Sequence, residues 1–167
     1  MKYAIIDSNG GDIMTANIGL KEKDREELAE ALAVVLADTY LLYLKTQNYH
    51  WNVTGGKFSM WHVMFEDQYK DLAEAADLLA ERIRALDYVT PGSFKEFLDL
   101  TTLTEAEGNP SGEDMVKDLI SDHESIVRHM REVSKLAKDD EDEVTMGILT
   151  DRMMTHEKTA WMLRSSL

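Results

Sequence analysis

The chain has 167 residues, 44% of them hydrophobic and 30% charged, which is long enough for one domain with a real core and too apolar for a disordered segment. No apolar run approaches the roughly 20 residues that span a bilayer, the first residues lack the apolar stretch of a secretory signal, and there is no cysteine for disulfides, so a cytoplasmic location is expected. The formal net charge of −14 repels nucleic acid on average and suits the collection of cations.

Residues 1–20 read as a mobile N-terminal tail with Gly10-Gly11 in its middle and Lys2 as its only cation. The domain proper is expected over 21–167. A first long helix should occupy 21–52, because Leu28, Leu32, Val35, Leu36, Thr39, Leu42 and Tyr43 recur at helical spacing. Residues 52–57 make a turn at Gly55-Gly56, and a second helix should run over 59–86. The stretch 88–110 is too long for a plain connector. Within it Ser93-Phe94-Lys95-Glu96 is a capping box, with Phe94, Phe97 and Leu98 as a small apolar face. A third helix should begin at Ser111, with Val116, Leu119, Ile120, His123, Ile126, Val127, Met130 and Val133 along its stripe. After a turn over 138–143 a fourth should run to about residue 164, turning Leu149, Met153, His156, Ala160 and Leu163 inward. These elements predict an all-α fold, a ferritin-like four-helix bundle with a short extra helix in the crossover between helices two and three.

Five metal-capable side chains stand out: His50, His62, Glu66, Asp77 and Glu81. Two imidazoles and three carboxylates form a nitrogen and oxygen set that suits iron or zinc. On the second helix His62/Glu66 and Asp77/Glu81 are i,i+4 pairs on nearly one stripe. Residues 66 and 77 nevertheless lie roughly 16 Å apart along the axis, too far to share an ion whose ligands sit about 2 Å away. Residues 62 and 81, like 66 and 77, are equidistant from the point between 71 and 72. An antiparallel copy crossing a two-fold axis there would set each half against its complement. His50 joins His62, since each is six residues from Gly56. No Glu or Asp precedes a His by three residues, so the intramolecular Glu-x-x-His signature of di-iron bundles is missing.

The run His50-Trp51-Asn52-Val53-Thr54-Gly55, then Trp61-His62 with Glu66, then Asp77 with Ala80-Glu81-Arg82-Ile83 resembles the Dps family of miniferritins. The C-terminal Asp151-Arg152-Met153, His156-Glu157-Lys158 and Ala160-Trp161-Met162-Leu163-Arg164 are similar to that family's last helix. The resemblance implies a ferroxidase centre with His50, His62 and Glu66 from one subunit and Asp77 and Glu81 from its two-fold mate. It further implies a dodecameric homo-oligomer, hydrogen peroxide as oxidant, Fe(III) stored in a hollow shell, and Asp142 and Glu143 as residues of an iron entry pore. Zinc is a candidate substitute for iron.

Several neighbours invite specific expectations. Trp51 is a candidate electron donor, whereas Trp61 is expected to pack. Arg82 and Arg84 are placed to hold the nearby carboxylates. His123 and His156 fall level on facing apolar stripes and read as paired core histidines, in preference to a second metal pair. His129 reads as surface. The alternative function is a nucleoid-structuring protein that coats DNA; the missing basic tail counts against it, and DNA binding is expected to be weak or absent.

Overall fold

Apolar side chains at helical spacing decide the architecture of the computed structural model, which describes residues 15–167. Five helices form among them: α1 (Glu22–Asn52), α2 (Phe58–Ala85), α3 (Phe94–Leu100), α4 (Gly112–Asp139) and α5 (Glu143–Ser166). Leu28, Leu32, Val35 and Leu42 of α1 are fully buried, as are Phe65, Leu72 and Leu79 of α2 and Leu119 and Met130 of α4. Each such side chain stabilises the fold by about 1.5–3 kcal/mol relative to exposure.

Short turns make α1–α2 and α4–α5 antiparallel hairpins. Gly55 bends the first with φ +101°, where a side chain would be strained. The two hairpins then pack α1 on α4 and α2 on α5. Polar contacts set the α2–α5 register: Arg82 with Asp142 at 2.6 Å, Asp71 with Arg152 at 2.7 Å, and Trp61 Nε1–H donating to Ser166 at 3.0 Å. The chain directions are therefore antiparallel here too. Of the expected tail, residues 1–14 lie outside the described residues. Beyond them, the Ala16 N–H donates to Asp87 at 3.0 Å and Leu20 packs on the core.

Side-chain caps fix three helix starts. Ser93 accepts from the Glu96 N–H, Ser111 from Asp114 and Asp142 from Thr145. The crossover between α2 and α4 is held by Asp38, a fully buried carboxylate on α1. It accepts from the Thr101 hydroxyl at 2.7 Å, the Thr102 N–H at 2.6 Å and the Thr102 hydroxyl at 2.9 Å. His129, expected at the surface, is instead partly buried, with Nδ1 3.3 Å from the same carboxylate. At the start of α4, Gly112 lies under the Trp61 ring; a Cβ there would come within 2.5 Å of it.

Candidate metal centre

The α1–α2 hairpin brings the last turn of α1 beside the first turns of α2, so His50 and His62 face each other. Their rings stack with centroids 3.9 Å apart and planes 21° from parallel. The His50 Nδ1–H donates to the His62 carbonyl at 2.8 Å, and the His62 Nδ1–H donates to the His50 carbonyl at 2.9 Å. A carbonyl oxygen can only accept, so both imidazoles are fixed as the tautomer with a bare Nε2. Among the described residues neither Nε2 has a hydrogen-bond partner. A main-chain carbonyl on one ring nitrogen and a free lone pair on the other is how ligating histidines are oriented.

Glu66, one turn beyond His62, is half-buried and paired with Lys70. The hydrogen bond and charge of the Lys70 ammonium hold its carboxyl below the usual range, with smaller effects from His50 and His62. Asp77 and Glu81 are exposed further along the same helix. Among the described residues no three His, Asp or Glu side chains converge within one chain to hold an ion. His62 with Glu66 and Asp77 with Glu81 lie along one stripe of α2 as two separate pairs, with His50 of α1 joining the first, and the chemistry of each half suits a hard or borderline cation.

Aromatic residues enclose the histidines. Tyr69 meets His50 edge-on at 5.3 Å, Phe58 lies 5.0 Å from His62, and Tyr43 lies 6.2 Å from Tyr69. Tyr69 carries no motif of its own in the sequence, although its place seven residues after His62 puts it on the same stripe. Trp51 is 63% exposed, whereas Trp61 is buried against Gly112.

Two arginines differ from expectation. Arg82 turns inward to Asp142 and to the Thr145 hydroxyl at 2.8 Å, and Arg84 donates to the Tyr88 carbonyl at 2.9 Å. The inner face of α2 draws Arg82 across to cap α5, so it does not hold Asp77 or Glu81 within the chain. Asp142 itself is 3% exposed. Burial raises its pKa, but hydrogen bonds from Thr145 and Arg82 outweigh that and leave the carboxyl below its usual range. Glu143, beside it, is exposed.

The second histidine pair lies inside the bundle. His123 of α4 and His156 of α5 are buried, with Nδ1 atoms 2.8 Å apart. Burial, and then the Arg152 charge, push His123 down to about 3. Burial, His123 and Arg152 likewise hold His156 well below its usual value, so both are neutral at pH 7.

Residues 29–167 match the family model for the ferritin-like domain. A low-temperature-induced protein of Nostoc, described as uncharacterised, is 42% identical over 89% of this chain and 84% of its own length. DNA protection during starvation protein 2 of Bacillus anthracis is 32% identical over 85% and 97%. Among solved structures, the Dps protein of Vibrio cholerae superposes with a TM-score of 0.87 at 32% identity, covering 93% of this chain and 98% of that one. It is described as a member of a broad superfamily of ferritin-like diiron-carboxylate proteins.

Proposed function

Because this chain belongs to the Dps family of ferritin-like proteins, we propose that it is a ferroxidase and iron-storage protein that oxidises Fe(II) at sites shared between two-fold related subunits. The observation that carries this reading is the reciprocal Nδ1–carbonyl pairing of His50 and His62, which leaves two bare Nε2 atoms, with Glu66 one turn beyond His62 on α2. The partial donor set within one chain supports a site completed by Asp77 and Glu81 of a second copy. His62 and Glu66 of one half and Asp77 and Glu81 of the other lie on one stripe of α2, as a two-fold crossing near residues 71 and 72 requires.

In this reading Fe(II) is the substrate and hydrogen peroxide the oxidant. The imidazoles anchor the metal without adding charge, and the carboxylates favour the more highly charged Fe(III) product. The ferric product is stored in the hollow shell of a dodecamer, which Glu143 helps to supply with iron and where Asp142 acts from behind as the buried cap of α5. Zinc competes for the same ligands. Tyr69, against His50, and Trp51 are the oxidisable side chains best placed to donate an electron. Protection from oxidative damage follows from consuming iron and peroxide together, with DNA binding weak because the formal charge is −14.

Stopped-flow oxidation of Fe(II) by peroxide tests the reading. Wild type should oxidise iron rapidly and His50→Ala and Asp77→Ala should not. Mixing the two inactive proteins under subunit exchange should restore activity, since each supplies the half the other lacks. No recovery despite proven exchange would refute a shared site.

A further inference from the structure

Two clefts meet at the buried histidine pair. One, of about 640 Å³, opens between α2 and α5; the other, of about 400 Å³, opens between α4 and α5, and both are lined by His123 and His156. The ring centroids are 5.0 Å apart, a distance almost wholly taken up by the 2.8 Å Nδ1···Nδ1 bond and the two ring radii. The bond therefore lies close to the line between the ring centres, and each Nε2 falls on the far side of its own ring. Lone pairs aimed at each other share no common point at which an ion could sit. One Nδ1 must carry the hydrogen and the other must accept it, so the rings are opposite tautomers. The donor ring has a bare Nε2, and the acceptor ring has a protonated one.

Among the described residues neither Nε2 has a hydrogen-bond partner, although both are buried, and Gln68 Oε1 and Arg152 Nε in the α2/α5 cleft are in the same position. An unpaired buried polar atom is costly, so four of them around the two clefts are an arrangement that packing alone does not favour. The surrounding charges are mixed. Asp71 and Arg152 pair on the α2/α5 side with Asp67 and Lys158 at its mouth, and Glu124 pairs with Arg164 on the α4/α5 side beside Arg128 and Glu157. Among the described residues no carboxylate touches either ring to stabilise an imidazolium.

We propose that His123 and His156 are a proton relay through the bundle, connecting the α2/α5 cleft with the α4/α5 cleft. A proton from one cleft bonds to the bare Nε2 of the donor ring. That ring's Nδ1 proton passes to the partner's Nδ1, and the partner releases its Nε2 proton into the other cleft. One proton enters and one leaves, both rings finish neutral with their tautomers exchanged, and the start is restored when the rings part and each re-tautomerises by exchanging protons with water in its own cleft. Passing protons between neutral tautomers suits a site where burial and Arg152 disfavour the charged ring. The protons to be moved are those released when Fe(III) hydrolyses to its oxyhydroxide, and this assignment of a source rests on the proposed ferroxidase reading.

The test follows iron oxidation by absorbance and proton release by an external pH indicator in the same stopped-flow mixing of Fe(II), peroxide and assembled protein. His156→Gln, which can hydrogen bond but not relay, and His123→Phe should keep the wild-type rate of the first oxidation while protons reach the bulk several-fold more slowly. Proton release keeping pace with oxidation in both variants would overturn the relay. If wild type oxidises no iron, the ferroxidase reading fails, and the relay is still judged by nitrogen-15 NMR of the metal-free protein. Two neutral imidazoles of opposite, interconverting tautomer support it; two fixed tautomers refute it.

Discussion

His50 and His62 stack face to face and give their Nδ1 protons to main-chain carbonyls, whereas His123 and His156 meet edge to edge and share one Nδ1 proton between them. Both pairs join neighbouring helices of an antiparallel hairpin, so the difference is not one of topology. It comes from what each Nδ1 faces. A carbonyl fixes the tautomer and leaves Nε2 bare, as the proposed ligand role requires; a second imidazole leaves the tautomer undecided, as the proposed relay requires. The charges nearby reinforce the split, with Glu66 beside the first pair and Arg152 acting on the second.

The largest effect should come from the outer pair. Losing His50 as a ligand is expected to slow Fe(II) oxidation by more than about 100-fold, beyond what losing a ligand's outer partner does, while His123→Phe leaves the first turnover unchanged. Equal loss in both variants would erase the contrast. Acid titration of folding should sharpen it from the other side. His123 and His156 bind protons more readily unfolded than folded, so stability falls as pH drops from 6.5 toward about 3. Urea melts of the His123→Phe, His156→Phe double variant should show a shallower slope across that window than wild type.

A mid-sized effect is expected at Gly112→Ala. The added methyl must displace the buried Trp61 ring, at a cost of about 1–3 kcal/mol in thermal unfolding. Since Trp61 precedes His62, iron oxidation should weaken as well, while the tautomer signals of His123 and His156 stay as in wild type. The smallest change is predicted for Lys70→Ala. Without the ammonium, Glu66 holds its proton to higher pH, so Fe(II) binding followed by titration should begin at slightly higher pH with stability nearly unchanged.

Helix positions were legible because each long helix repeats its apolar residues every third or fourth place, and Ser93 and Ser111 announce their helices as caps. The pairing of His50 with His62 was legible from their equal distance to Gly56. Contacts that depend on a distant partner were not. Asp142 sits in an acidic run that looks like a solvated turn, and its long-range partner is Arg82, sixty residues away. Asp38 carries no local mark of its role, because Thr101, Thr102 and His129 reach it from other elements. Lys45 likewise lies buried against Asp122 at 2.7 Å on the strength of a neighbouring helix.

The Asp38 anchor changes how the long crossover should behave in heavy water. Loop amides ordinarily exchange their hydrogens through small local fluctuations, well before helices do. The Thr102 amide instead donates at 2.6 Å to a carboxylate with no exposed surface. Its exchange requires α1 and the crossover to part, an opening on the scale of the bundle itself. Thr102 should therefore trade its hydrogen at a rate typical of the inner turns of α1, and the segment would register as part of the slowest-opening unit of the molecule.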